Sequence, residues 1–485
     1  MRQWSRRGLW LAGTGAAALL AVAVMMALTL VRPGPGDEAA VRFEPPAPPP
    51  PPEVLAAATG DAPMPSADGV HDAIDDLVRD SALGEVSALV LDAVTGTELY
   101  AHEPDRTAVP ASTIKLVTAA TVLATRGPAH QLATVAVAGQ EPGEVVLVGG
   151  GDPTLAVDEG GIYPQAARLD DLAAQVRTRL GDIEITSVTV DSDLFTGGVH
   201  GPWDTHIPAS GFVGPVTALM TDGGRVEPDE VRAAAARWPE PDLAAGEAFA
   251  QLLEVDAEVE RGQAPPPADA GPPATPTGSP TAHPTATAGS PDPDEVVAGT
   301  ELGRVMSPPL LRMVEIMLAD SDNVLAEALA RQVALARGEP ASYAGAAAAM
   351  TGVLEELGVP LGDSVLADGS GLSRGNRLSP TLLADLLVVV LDEPQLAGML
   401  AGLPVAGWSG TLAERYRSPQ PDTGPGAGMV RAKTGNLAGV STLAGLVVTA
   451  DGRLLTFALM ANDSPFEARD GLDRIAATLA TCGCT

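Results

Sequence analysis

Two proline-rich stretches that no globular core can absorb interrupt the sequence, and they fix where folding can happen. The first, residues 33–69, carries a run of prolines at 48–52. Such a run stiffens into a polyproline spacer, which at about 3.1 Å per residue holds a domain roughly 90 Å from its point of attachment over some thirty residues. The second, "GQAPPPADAGPPATPTGSPTAHPTATAGSPDPDE" at residues 262–295, is built from Pro, Thr, Ala and Ser and cannot bury a core. It reads as a disordered surface loop. The folded parts must come from what lies between and after these stretches, and 485 residues leave enough chain for two or three domains.

Ahead of the spacer, Arg2, Arg6 and Arg7 precede an uncharged, proline-free run from Gly8 to Val31, long enough to cross a bilayer as a helix. The positive-inside rule keeps the arginines cytoplasmic and sends everything after Arg32 outside. Residues 1–32 therefore read as a membrane anchor. A cleaved signal is the alternative, because Ala21 and Ala23 form an A-x-A pattern. Either way the folded part is extracytoplasmic. A formal net charge of -33 argues against nucleic acid as a partner of that part. Both cysteines, Cys482 and Cys484, lie in the final "CGCT", and two cysteines cannot build a four-ligand structural zinc site.

Local patterns give a coarse fold. "EVSALVLDAVTGTELYAHE" alternates and turns at Thr95-Gly96, as two paired strands do. "PASTIKLVTAATVLATRGP" carries apolar residues at helical spacing between Pro110 and a Gly127-Pro128 stop. "SPPLLRMVEIMLADSDNVLAEALARQVALARG" reads as two helices broken near Asp320 to Asn323, since Ser, Asp and Asn favour caps. "STLAGLVVTADGRLLTFALMAND" is a hairpin around Asp451-Gly452, followed by an amphipathic helix from about Glu467. Strands at both ends with helices between predict an α+β fold whose first and last strands share one sheet.

The chain avoids lysine. Of its 29 basic residues only Lys115 and Lys433 are lysines, and Arg differs from Lys in being unable to lose its proton. Lys115 ends Ser-x-x-Lys from Ser112, a spacing that puts both side chains on one helix face. A serine hydroxyl needs a base within reach to become a nucleophile, and a lysine serves only if burial or a neighbouring cation lowers its pKa. If the lysines converge, each lowers the other's proton affinity. Lys433 opens Lys-Thr-Gly, with Thr434 and Gly435 placed where a small residue would let a substrate backbone approach a strand edge. Under ordinary residue usage, both lysines landing in these two patterns is on the order of one chance in several thousand. Between them lies Ser321-Asp322-Asn323.

In that order these motifs resemble those of the serine penicillin-binding proteins and β-lactamases. "LVGGGDPTL" (147–155) and "DGSGLSRGNRLS" (368–379) narrow the resemblance to peptidase family S13, the low-molecular-mass class C penicillin-binding proteins, D-alanyl-D-alanine carboxypeptidases and endopeptidases. The resemblance implies an antiparallel sheet flanked by helices in a catalytic domain of residues 70–130 and 300–485. A large region, 131–299, is inserted between the first two motifs. It implies Ser112 as nucleophile and Lys115 as its base. By the same resemblance Ser321 would relay the proton towards the leaving amine, and Asn323 would hydrogen-bond Lys115 and the substrate amide. The resemblance further implies that Lys433 and Thr434 meet the terminal carboxylate of a D-Ala-D-Ala peptide and that the N–H groups of Ser112 and Asn436 form an oxyanion hole. Arg374, in "GLSRGN", matches a position that contacts substrate in some relatives. β-Lactams are implied as covalent inhibitors, with no cofactor or metal. The residue after Lys-Thr-Gly, often Ser or Thr, is Asn436 here, whose amide can still donate.

Other readings are weaker. The glycines of "LVGGGDPTL" lack the Gly-Lys-Ser/Thr of a phosphate loop, and no His-Glu-x-x-His occurs. Asp152 in that stretch reads as a turn cap. A class A β-lactamase needs a deacylating Glu four residues before an Asn, and none of Asn323, Asn376, Asn436 or Asn462 has one. A non-catalytic wall-binding protein on the same scaffold would have no need of the full set of motif side chains.

Overall fold

The structure, a computed structural model, describes residues 62–228, 234–268, 296–417, 422–465 and 468–483. The apolar run of the proposed anchor, the prolines at 48–52 and most of the 262–295 loop lie outside these residues. No helix among the described residues is long and apolar enough to cross a membrane.

The first described element is a helix that the strand-first reading overlooks: α1, Ala67–Val78, begins inside the stretch assigned to the spacer. Ser66 caps it by accepting from the Gly69 N–H at 3.1 Å, and Val70, Ile74 and Val78 make a buried stripe. The predicted hairpin follows as β1 (Glu85–Asp92) and β2 (Glu98–His102). After Lys115–Arg126 (α2), which carries the first motif, the chain leaves the catalytic domain. It returns through the predicted helix pair, α5 (Leu310–Asp320) and α6 (Asn323–Arg337), then α7 (Tyr343–Glu356) and α8 (Pro380–Asp392). It closes with β8 (Val430–Leu437), β9 (Val440–Val448), β10 (Leu454–Asn462) and α9 (Ala468–Thr481).

The main sheet runs β2-β1-β10-β9-β8, antiparallel throughout. The first and last strands of the chain are thus neighbours, as expected, with Glu85 opposite Asn462 and Asp92 opposite Leu455. The alternation read in β1 does not survive, because every residue after Glu85 is buried. One face packs α1 and α9 around Ile74, Phe457 and Leu472, and the other packs the helical layer, including α8. A sheet covered on both faces has no polar side. Cys482 is buried at the edge of the first of these cores.

The inserted region has a sheet of its own, ordered β6-β5-β4-β3-β7. It comprises β3 (Ala133–Ala138), β4 (Glu144–Val148), β5 (Ser187–Asp191), the two-residue β6 (Glu260–Arg261) and β7 (Glu301–Met306), with α3 (Leu169–Leu180) and α4 (Pro241–Leu252) packed on it. Since β7 pairs with β3, residues 301–306 belong with the insertion rather than after a boundary at 300. The glycines of residues 149–151 close this sheet and cradle nothing: a Cβ at Gly149 would lie 2.5 Å from the Ala218 oxygen, and one at Gly150 2.0 Å from that of Ala133. Asp152 caps the turn, accepting from the Thr154 N–H at 2.8 Å and its hydroxyl at 2.6 Å.

Candidate active site

Ser112 lies on a single 3-10 turn, Ala111–Ile114, that feeds directly into α2. Two threonine hydroxyls, Thr113 at 2.7 Å and Thr442 at 2.8 Å, donate to the Pro110 carbonyl and fasten the turn to the sheet. Ala111 has φ +46°, a left-handed conformation that costs a non-glycine residue about 1–2 kcal/mol and here carries the chain into the turn. Gly435 on β8 has a different use from the one its sequence context suggests. A Cβ there would meet the Pro110 oxygen at 2.8 Å and the Ser112 nitrogen at 3.0 Å, so the glycine admits the protein's own nucleophile turn against the strand.

Lys115 is fully buried. Its Nζ lies 2.9 Å from Ser112 Oγ, 2.7 Å from Asn323 Oδ1 and 2.6 Å from the Ser370 carbonyl oxygen. Burial lowers its pKa to about 8, against Asp368, Glu327 and Asp322, which raise it. Lys433 is equally buried and donates to Ser321 Oγ and to the Thr434 carbonyl, both at 2.9 Å. Its pKa falls well below the ordinary lysine value through burial, then through the charges of Lys115 and Arg415. Burial leads at both lysines; the depression expected between them appears at Lys433, second to burial, and not at Lys115.

The second motif sits in the break between α5 and α6. Ser321 takes a left-handed conformation (φ 59°, ψ 36°) that ends α5, and Asp322 caps α6 by accepting from the N–H groups of Val324 and Leu325 at 2.9 and 3.0 Å. This orients Asn323 so that Oδ1 meets Lys115 while Nδ2 donates to the Phe212 carbonyl at 3.0 Å. Phe212 belongs to the insertion, as do Tyr163, whose hydroxyl donates to Asp322 Oδ2 at 2.8 Å, and Arg225, which donates to the same oxygen at 3.4 Å. The inserted region therefore buttresses this motif directly.

Ser112, Ser321, Asn323, Thr434, Asn436 and Arg374 line one cavity of about 460 Å³. Lys115, Lys433 and Gly435 lie buried behind its wall. Arg374 is held at the rim by donating to the Ala438 carbonyl at 2.6 Å. All nine residues singled out in the sequence thus come together. Sequence reasoning missed the Ser370 carbonyl, Thr411, which shares a 2.8 Å hydrogen bond with Thr434, and two buried carboxylates. Glu327 accepts from Ser370 N at 2.9 Å and Gly369 N at 3.3 Å. Asp368 accepts from Gly371 N at 2.8 Å and Ser373 N at 2.7 Å. Glu327 could have been found, since it lies four residues after Asn323 on the same face of α6.

A sheet backed by helices, with Ser-x-x-Lys, Ser-Asp-Asn and Lys-Thr-Gly meeting at one cavity, defines the class of penicillin-binding proteins and serine β-lactamases. Within it, the chain belongs to the D-Ala-D-Ala carboxypeptidase 3 (S13) family, whose family model matches residues 70–268 and 288–482. It is 38% identical over 481 residues to a carboxypeptidase of Mycobacterium tuberculosis, covering 97% of each chain. It is 30% identical over 441 residues to the D-alanyl-D-alanine carboxypeptidase of an Actinomadura species, covering 79% of each. Penicillin binding protein 4 of Haemophilus influenzae has the same fold, with a TM-score of 0.64 at 20% identity over 86% of this chain and 98% of that one. That protein has also been solved with a β-lactam bound.

Proposed function

We propose that this protein is a serine DD-peptidase, which cleaves the bond before the last D-Ala of a peptidoglycan stem peptide through an acyl-enzyme on Ser112, and that β-lactams acylate the same oxygen. The observation that carries this reading is the set of partners around Lys115 Nζ. A neutral amine has two N–H groups and one lone pair. Asn323 Oδ1 and the Ser370 carbonyl take the two hydrogens, which leaves the lone pair for the Ser112 hydroxyl. Burial supplies the lowered proton affinity that a base of this kind requires.

In this reading Lys115 takes the Ser112 proton as Oγ attacks the D-Ala carbonyl. The N–H groups of Ser112 and Asn436 meet the charge that develops on its oxygen. The C–N bond breaks, the proton reaches the leaving amine by way of Ser321, and water later hydrolyses the ester. Thr434 receives the terminal carboxylate with the Lys433 amine behind it, Gly435 keeps the strand close, and Arg374 contacts the substrate at the rim. Glu327 faces the Gly369–Ser370 backbone and does not line the cavity. It is not placed to activate a deacylating water, which favours a long-lived penicilloyl-enzyme over β-lactamase turnover. Arg2, Arg6, Arg7 and the apolar run to Val31 support an extracytoplasmic domain tethered to the membrane, which protease accessibility in intact spheroplasts tests.

Stoichiometric labelling by a fluorescent penicillin with slow release, together with D-Ala release from a D-Ala-D-Ala peptide, tests the function. Both should vanish in Ser112→Ala. Rapid release of the label, or D-Ala release that survives the substitution, defeats the reading.

A further inference from the structure

The largest fully buried side chain among the described residues is a cation, Arg331 on α6. Its guanidinium carbon lies 3.9 Å from the centre of the Tyr343 ring and 5.3 Å from that of Phe195, both within the reach of cation–π attraction. Trp203 packs edge-on against Tyr343, with 5.3 Å between ring centres. Phe195 and Trp203 belong to the inserted region, where the Tyr343 hydroxyl also donates to the Val199 carbonyl at 3.2 Å. The guanidinium is thus held at the seam between the insertion and the catalytic domain. Its Nη1 donates to the Glu327 carbonyl at 3.1 Å, while Nε and Nη2 are buried with no acceptor among the described residues. Ring faces alone do not balance a buried charge, which demands an opposite one nearby.

The Glu327 side chain, one turn earlier on the same helix face, meets that demand. It accepts from Gly369 N and Ser370 N, and so fixes the loop whose Ser370 carbonyl takes a hydrogen from Lys115. Burial, then Asp368, pushes the Glu327 carboxyl up to about 7, and Arg331 is the cation that opposes them. The other groups that bear on this cluster are Lys115 on α2, Asp322 on α6, Tyr343 on α7 and Asp368 on the loop. Burial keeps the Tyr343 hydroxyl protonated, and Asp322 is matched by Arg225 of the insertion. Arg331 acts on Glu327, and Lys115 on Asp368. When Lys115 is neutral, as a base must be, Arg331 is the positive charge that remains.

We propose that Arg331 is a positioning residue through which the inserted region tunes the catalytic base: clamped between Phe195 and Tyr343, its fixed charge keeps Glu327 ionised, and Glu327 in turn holds the Ser370 carbonyl on Lys115. The inference rests on the reading of Lys115 as the base. An amine deprived of this carboxylate is a weaker base, so the arrangement keeps Lys115 able both to take the serine proton and to return it.

The chain has only two lysines, so full-length protein labelled with carbon-13 at lysine Cε gives two NMR signals, which Lys433→Arg assigns. The Lys115 titration is then read without activity, and penicillin acylation is followed over the same pH range. The two midpoints should agree in the wild type; acylation that does not track the Lys115 signal removes the base reading itself. Arg331→Gln should move both midpoints to lower pH by at least about half a unit and lower the plateau rate. Arg331→Lys keeps the charge and should hold the wild-type midpoint, although it loses the planar face that stacks. In a Glu327→Gln background, Arg331→Gln should move the midpoint no further. A merely structural arginine would lower the melting temperature and the plateau and leave the midpoint in place. Phe195→Ala opens the guanidinium to water, which screens its charge, and should shift the midpoint the same way by less; it decides the matter if Arg331→Gln does not fold. Midpoints that stay at the wild-type value in these folded variants, or an equal shift by Arg331→Gln in the Glu327→Gln background, overturn the proposal.

Discussion

A buried amine that must be neutral to work imposes a pH dependence. With a Lys115 pKa of about 8, the neutral fraction, and with it the second-order rate of acylation by a penicillin, should fall tenfold per unit below that value and level off above it. A rate that stays flat from pH 6 to 8 would remove Lys115 as the base. Glu327 raises the Lys115 pKa, so Glu327→Gln should move the midpoint of that profile to lower pH, a shift that lost packing alone would not produce. Lys115→Arg keeps the charge and loses the lone pair, and stopped-flow acylation should drop by at least about a hundredfold. Lys433→Arg still presents a cation to a carboxylate, so its loss should be milder and appear mainly in KM for a peptide. At this scale the sequence was most legible, because two lysines in a chain that otherwise uses arginine announce their positions. The Ser370 carbonyl was illegible for the opposite reason: a backbone acceptor leaves no mark in residue type.

Among the elements, the contact between β8 and the nucleophile turn is the tightest constraint. Gly435→Ala should cost about 1–3 kcal/mol, as overpacking does, because its Cβ meets backbone on the Pro110 side, which cannot swing away. Acylation should fall with it, since the Ser112 N–H must shift; urea melts and penicillin labelling report the two effects separately. A protein that tolerates the substitution in both assays would mean the turn is mobile. The helix break at Ser321 was readable from three polar residues, and the end hairpin from Asp451-Gly452. The burial of β1 was not. Alternation tells of one covered face, and only the helices packed on both sides of the sheet decide how many faces are covered.

For the whole molecule, the gap of about two hundred residues between Ser112 and Ser321 announced an insertion, but not its fold. Its strands are short, and β4, β5 and β6 pair in parallel, a pairing that local patterns do not encode. The ends of the Pro/Thr-rich segment are held together: Ala268 N donates to the Gly299 carbonyl at 3.3 Å, and Gly299 N to that of Ala138 at 2.9 Å. Replacing residues 269–295 with a short Gly/Ser linker should leave penicillin acylation within twofold of wild type, since shortening a loop changes its closure free energy only slightly, about 0.6 kcal/mol per halving. A large loss would assign that segment to the site. The closure of the main sheet has a consequence in time. Because β1 is flanked by β10, and the Ser112 turn is seated on Gly435, no N-terminal fragment that stops short of β8 can assemble the reactive centre. A chain still emerging from the ribosome is chemically silent, and the hydrolase becomes active only once its last strands have been delivered.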